Sequence, residues 1–554
     1  PGPPAVPPPL LAMAGQRSPS ARVAIVASGL DAEKAEAEPS ATPCSLYAAD
    51  LRIILRLGWP NSVNMFLTFM PGLVMLTFLG SDADQLAAAG MGFMFANVSG
   101  LSLILGSGAG ATPLISQAFG ARNFVRCGGL LQRQIAIHAV LVVLIALVWL
   151  NTEQILVACR QPAAVAKLTG QFMRWRVAAL PFFAVKEDLT NYLAAQRVTM
   201  WPMVTSVVAS VLNVVAFPLL IRWFGFPGAP LAITLANVLQ ALALWGCARR
   251  ALPQAEAWPS WSLREALTGW GEILRMSLPA GVMMLSEWWG WETNLFFAGL
   301  LCTDTPGAPC LPLDVFPIAS NTMVVAFMFQ YGFSLAAGTL VGNALGEGDA
   351  PKARRVSKLA LWLAAGITGF VCLVLLRVRR DWGRLFTADP AVVELTGRVL
   401  PLVAAYVFMS ALGPGALVST LRGMGLVRLP SLITFVSFYL IGIPFGLCLA
   451  FGRGMGILGL WAGLVLGMLT MVASLLSFFS WGIDWRAASR EAQARSGAEA
   501  LPEAPKVAAA GLAKAARAAG GGKKAYGRLA EEGEPTGQEA AGAAPLEGAG
   551  YVGG

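Results

Sequence analysis

Between about residue 55 and residue 482 the chain is a succession of twelve apolar stretches, most of them longer than twenty residues and separated by short polar turns. Crossing the hydrocarbon of a bilayer takes about 20 apolar residues as a helix. Backbone in lipid is satisfied only within helices or closed barrels. The two-residue alternation of barrel strands is absent, so the runs are read as helices. Composition agrees: 56% of the 554 residues are hydrophobic and 13% are charged, against about 25% charged in a soluble domain. The fold class expected is an all-α polytopic membrane protein.

The spans are expected at roughly 55–79, 86–116, 127–150, 168–196, 199–222 and 227–248, then 268–301, 314–342, 355–376, 391–421, 427–451 and 456–482. They divide the chain into a Pro/Ala-rich N-terminal tail (1–48), an N-lobe (49–250), a polar connector (251–266), a C-lobe (267–485) and an Ala/Gly-rich C-terminal tail (486–554). Both tails lack apolar periodicity and are expected to be disordered. The chain begins at Pro1, which fits a processed or incomplete start, and Glu33, Glu36 and Glu38 argue against an organellar targeting segment. GGGKKAYG (520–527) lacks the Ser/Thr and the spacing of a phosphate-binding loop.

The net charge of +9 is assigned to basic loops and a basic tail at a membrane surface rather than to nucleic-acid binding. Short loops after even-numbered spans carry Arg122 and Arg126, Arg197, Arg249 and Arg250, Lys352, Arg354 and Arg355, and Arg428. Loops after the first and seventh spans carry Asp82, Asp84, Asp304 and Asp314 and no basic residue. The excess of Lys and Arg puts both termini in the cytosol. Arg377, Arg379, Arg380 and Arg384, after the ninth span, run against this rule. Cys302 and Cys310 flank a loop placed outside the membrane, where a disulfide is compatible with the compartment.

The two halves read as one repeat. RLGWP (56–60) answers RMSLP (275–279), and ATPLISQAFGARN (111–123) answers AGTLVGNALGEGD (337–349). Pro202 opens the fifth span as Pro430 opens the eleventh. Each half has an even number of spans, so the halves run in the same direction, related by a pseudo-two-fold along the membrane normal. Twelve transmembrane helices in two six-helix lobes follow, with a site between the halves.

Four stretches carry a resemblance to the multidrug and toxic compound extrusion (MATE) family, in its eukaryotic branch: GAGATPLISQAFGARN (108–123), SEWWGWETNLFFAGLL (286–301), GFSLAAGTLVGNALGEGDAPKARR (332–355) and LRGMG (421–425). The resemblance covers roughly 50–485. It implies a V-shaped pair of six-helix lobes that exports organic solutes in exchange for protons or sodium by alternating access. The chain departs from that pattern in two places. Asn321 stands where some animal members carry a further glutamate, and SALGPGALVSTLRG (410–423) has no acid. Where bacterial relatives often use an acid on the first helix, this one has Asn61 and Asn64.

The residues themselves point to the same chemistry. Glu287 and Glu292 lie in an apolar helix, where a charged side chain costs about 2.5–3.5 kcal/mol on insertion scales. A buried carboxylate that takes a proton on one side and releases it on the other can drive exchange against a cationic solute. Five residues correspond to about 140° around a helix, so one carboxylate is expected to face a cavity and the other the lobe interior. Trp288, Trp289 and Trp291 surround them, and an indole face attracts a desolvated cation. Lys186, Glu187 and Asp188 fall near the middle of the fourth span. They form either a second ionisable site or a cluster solvated at the cytosolic end.

Asn97, Asn213, Asn321 and Gln330 are candidate cavity lining, with interhelical hydrogen bonds the commoner role. Tyr331 and Tyr439 are candidates by the same reasoning, and His138, the one histidine, reads as a core residue. No HExxH pair, DDxxD site or other catalytic cluster is present, and a single histidine leaves little room for metal chemistry. The loop after the second span lacks the G-x-x-x-D-R signature of major-facilitator carriers. The expected protein is not an enzyme and uses no cofactor. It is a monomeric antiporter of the plasma membrane or a vacuolar or organellar membrane, moving an organic cation or secondary metabolite against protons. Sodium coupling, or an organic acid such as citrate as cargo, is the alternative.

Overall fold

In a computed structural model the chain is described over residues 43–79, 82–252, 254–302 and 310–497. These residues are mainly helical, with no strand among them. Among the described residues nine helices are long and apolar enough to cross a membrane: α2 (Asp84–Gly120), α3 (Phe124–Leu150), α5 (Met200–Phe224), α6 (Gly228–Ala251), α8 (Leu311–Gly346), α9 (Ala350–Val378), α10 (Pro390–Gly423), α11 (Arg428–Gly452) and α12 (Ile457–Trp481). Three more, richer in polar residues, complete the set of twelve: α1 (Pro43–Phe78), α4 in two segments (Ala163–Val177 and Leu180–Ala195), and α7 (Trp270–Leu300). The polar content of α4 and α7 is what a helix needs when part of it faces a cavity rather than lipid.

The repeat read in the sequence fixes how the halves meet. α1 packs along α8, and α2 packs along α7. These are equivalent contacts with the halves exchanged. Small residues set the spacing, as expected where helices approach without a hydrophobic driving force. A Cβ on Gly120 would lie 2.0 Å from the Asn343 carbonyl oxygen, and one on Gly346 would lie 2.1 Å from that of Gln117. The SQAFG and GNALG signatures are thus the place where the two backbones cross. Side chains close the same crossing: Asn343 Nδ2 donates to the carbonyls of Ser116 (2.9 Å) and Ala195 (3.1 Å), and Gln117 Nε2 donates to that of Gly423 (2.9 Å). The lobes are sealed on the face expected to be cytosolic.

The expected tails need correction at both inner edges. Helix α1 begins at Pro43 rather than after residue 48. The C-terminal tail opens with a further helix, α13 (Trp485–Arg495), which buries Ser489 and Ala492. Charged residues on its outer face hid its short apolar contact from hydropathy. Residues 1–42 and 498–554, where the remaining tail expectations fall, lie outside the described residues. The connector is docked as well: Tyr192 Oη donates to the Ala257 carbonyl, and the Ser262 N–H donates to Gln132 Oε1 at 2.8 Å. Cys302 and Cys310 are joined by a disulfide between the end of α7 and the start of α8.

Candidate functional site

Above the seal the lobes enclose a cavity of about 430 Å³, within the range of about 300–1,000 Å³ for small-molecule sites. α1, α2 and α4 line it on one side, and α7, α8 and α10 on the other. Its wall is mainly apolar and rich in methionine, including Met65, Met283, Met284, Met323 and Met328. Methionine adapts to ligands of different shape.

Both Glu287 and Glu292 line this cavity, which corrects the expectation that one of them points into the lobe. The α7 residues on the wall are Met283, Met284, Glu287, Trp288, Trp291, Glu292 and Leu295. At about 100° per residue they sweep about half the helix circumference. The cavity wraps around α7, and the two carboxylates stand at opposite sides of that stripe. Their surroundings differ. Arg422 of α10, also on the wall, lies within electrostatic reach of Glu287, and so does Tyr406.

Trp288 and Trp291 line the cavity as expected from their place between the carboxylates. Trp291 is braced edge-on by Tyr406 and Trp461, with ring centroids 5.0 and 5.6 Å away. Trp289 faces outward and is 49% exposed, and its indole N–H donates to the Val98 carbonyl at 3.1 Å, across the lobe boundary. Asn97, Asn321 and Tyr331 are on the wall. Asn97 sits where α2 takes a wide π-helical turn (Asn97–Leu101), and α10 does the same at Ala411–Leu417 around Pro414. Such turns displace the helix register locally and are common at functional sites.

Asn213, Gln330 and Tyr439 are not on the wall. Asn213 is buried within α5. Gln330 turns behind the wall and donates to Ser334 Oγ at 2.6 Å. Tyr439 Oη donates to the Ser286 carbonyl at 3.1 Å, tying α11 to α7.

The charged cluster of α4 is inside the protein: Lys186, Glu187 and Asp188 are 4, 5 and 3% exposed. Glu187 lines the cavity and pairs with Lys186 Nζ at 2.7 Å. Asp188 is turned the other way, with Oδ1 2.8 Å from Nδ1 of His138 on α3. A tilted or short helix with a solvated cluster is not what forms. His138, read as a core residue, is buried as expected, and what sequence reasoning missed is its pairing with Asp188 and the place of Arg422 on the cavity wall. Fifty positions separate His138 from its acid, and Arg422 falls one residue past the expected end of the tenth span.

The chain matches the MatE family model over residues 60–219 and 279–448. It is 30% identical to multidrug and toxin extrusion protein 1 of Oryctolagus cuniculus, over 81% of this chain and 78% of that protein. With multidrug and toxin extrusion protein 2 of the same species it shares 32% identity, over 78% and 70%. Among solved structures it superposes on the eukaryotic MATE transporter AtDTX14 with a TM-score of 0.75 and 25% identity, covering 81% of this chain and all of that one. A multidrug resistance MATE family transporter in an outward-facing conformation matches with a TM-score of 0.69 at 21% identity, over 82% of this chain and 100% of that one.

Proposed function

The chain belongs to the MatE family of multi-pass membrane transporters, and on that premise we propose that it exports a small organic solute in exchange for protons. The observation that carries this is the placement of Glu287 and Glu292 on one wall of an apolar, aromatic and methionine-lined cavity between the lobes. A carboxylate in such a wall attracts a cationic solute only while ionised, so proton and cargo compete for the same charge. Alternating access provides the two sides. The seal at Gly120 and Gly346 closes the face expected to be cytosolic, and transport requires it to part.

Arg422 favours a second reading. A guanidinium on the cavity wall, buried and with its Nε unpartnered, is suited to a carboxylate on the cargo. Reconstitution in proteoliposomes under an imposed pH gradient, with a panel spanning organic cations and organic acids such as citrate, separates the two. Glu287→Gln and Glu292→Gln keep the side-chain shape but cannot carry the exchanged proton. Each is expected to lower gradient-driven transport by roughly tenfold or more, on the scale of a lost charge pair in a dry site, while the protein still inserts and elutes as a single species. Wild-type rates in both variants would sink proton exchange at this site.

A further inference from the structure

His138, Asp188, Lys186 and Glu187 form a buried group that reaches the cavity wall at Glu187, and the cavity chemistry above makes no use of the other three. The His138 and Asp188 side chains are 1% and 0% exposed, and those of Lys186 and Glu187 are 6% and 7% exposed. With a neutral imidazole the group holds one cation and two carboxylates, so its net charge is minus one. Adding a single proton makes it neutral, and a membrane interior strongly favours the neutral state.

The cage around His138 can accept that proton. With Nδ1 turned to Asp188 Oδ1 at 2.8 Å, Nε2 is the free basic nitrogen. Two groups meet it: Ser107 Oγ at 2.6 Å and the Gln134 side-chain amide at 2.9 Å. A hydroxyl and a carboxamide can each donate to a neutral imidazole or, after rotation, accept from an imidazolium. Gln134 Oε1 is buried without a hydrogen-bond partner, and turning the amide would bring it to Nε2–H. The wall beside the dyad is thin, because a Cβ on Gly108 would meet Asn191 Nδ2 at 3.2 Å and His138 Cε1 at 3.6 Å. Asn191 and Glu187 both line the cavity.

We propose that these four residues are a second proton-binding site, in the N-lobe, that takes up one proton at His138 Nε2 from the cavity side at Glu187. The proton converts imidazole to imidazolium, and Asp188 remains a carboxylate opposite Nδ1–H. Other charged or titratable groups on the packed helices are occupied or distant. Arg126 of α3 pairs with Glu272, and Arg133 of α3 donates to the Glu265 carbonyl. Cys127 lies nearly three turns back on α3, with Sγ toward the Ile115 carbonyl. Asp84 lies at the far end of α2. Cys247, Arg249 and Arg250 fall in the last turns of α6. Arg176 stands a dozen residues back on α4, over the Phe93 ring at 4.4 Å, and Tyr192 Oη is committed to Ala257. α8 contributes Asp314 near its outer end and Tyr331 on the opposite wall.

The inference deepens proton exchange as the driving reaction, and it can be read without transport. The chain has one histidine, so the full-length protein with labelled imidazole nitrogens, purified without a histidine tag in nanodiscs, gives one ring-nitrogen signature. That signature is expected to pass from neutral to cationic in a single step between about pH 5 and 9. Asp188→Asn should move the midpoint by roughly one pH unit or more, because it removes the counter-charge at Nδ1. If Asp188→Asn does not fold, Gln134→Leu removes the amphoteric partner at Nε2 and should move the midpoint as well. Glu287→Gln and Glu292→Gln should leave it in place. An imidazole that does not titrate in that range, or a midpoint indifferent to both variants, overturns the second site. Wild-type transport by the Glu287 and Glu292 variants would instead overturn proton exchange at the cavity while leaving the histidine titration as it stands.

Discussion

Arg422 decides how the cavity reads a solute, because among the described residues it is the one cation on a wall that also carries Glu187, Glu287 and Glu292. Beside Glu287 it offsets part of the charge a cationic cargo would feel. Arg422→Gln is therefore expected to strengthen binding of organic cations severalfold. For a carboxylate cargo the same change removes the charged donor, and affinity should fall by roughly tenfold or more, as for loss of a charge-assisted hydrogen bond. Competition binding with a cation and with citrate on the same preparation reads both outcomes, and no change in either would remove Arg422 from recognition. Residue-scale chemistry was legible where a charge interrupts an apolar run, as with Glu287, Glu292 and the α4 cluster. It was not legible for His138, whose partner lies across a helix interface, nor for the outward turn of Gln330 and Tyr439. Those directions are set by neighbouring helices and by π-helical turns that no periodicity reveals.

α13 shows what an amphipathic element of modest length can do at the sealed face. Arg495 donates through Nε to Gln117 Oε1 (3.2 Å) in the N-lobe and through Nη2 to the Met424 carbonyl (2.9 Å) in the C-lobe. Ser489 donates to the Leu345 carbonyl (3.2 Å), and Asn123 Nδ2 donates to the Ser496 carbonyl (3.0 Å). One helix thus holds both halves of the seal. A chain ending after residue 497 should transport as the full chain does, whereas one ending after residue 484 should lose several-fold in rate and show a looser seal by hydrogen exchange in 111–123 and 337–349. Equal behaviour of the two truncations would make α13 a passenger. The helix also carries a pH dependence. The Asp484 carboxylate caps it by accepting from the N–H groups of Ala487 (3.1 Å) and Arg486 (2.9 Å), and those two hydrogen bonds hold its pKa below the ordinary carboxylate value. A pKa lower in the docked state means that the cap contributes fully at neutral pH and is lost as the pH falls through the carboxylate range. Hydrogen exchange of α13, corrected for its intrinsic pH dependence, should accelerate there in the wild type, and Asp484→Asn should flatten that acidic dependence. The spans were legible because lipid demands unbroken apolar length. α13 was not, because a helix lying on protein needs only a narrow apolar stripe.

At the scale of the whole molecule the repeat made the architecture legible, since equivalent signatures in the two halves had to meet about one axis. The charges that bias the closed seal were not legible, because each partner looks like an ordinary loop cation or anion. Among the described residues, ion pairs of Arg126 with Glu272 (2.6 Å), Arg197 with Glu347 (2.8 Å) and Arg355 with Asp50 (3.1 Å) join the halves at this face. Two are partly open to water, with Arg126 and Glu272 side chains 26% and 32% exposed and those of Arg197 and Glu347 22% and 29% exposed, whereas the Asp50 carboxylate opposite Arg355 is buried. Pairs of that kind contribute about 0.2–1 kcal/mol each. Together they bias the seal by roughly 1–2 kcal/mol, about tenfold in population. That is enough to favour closure without preventing the opening that exchange needs. Arg126→Glu places two carboxylates together, and Glu272→Arg places two guanidinium groups together, so each should broaden the distance between spin labels set at the N-terminal ends of α3 and α7. Arg126→Glu combined with Glu272→Arg restores opposite charges and should return the distribution towards wild type. Raising ionic strength should broaden the wild-type distribution modestly, because exposed pairs are screened, and should narrow that of either single reversal. A double reversal no closer to wild type than the single ones would remove this pair from control of the seal and leave closure to the backbone crossing at Gly120 and Gly346.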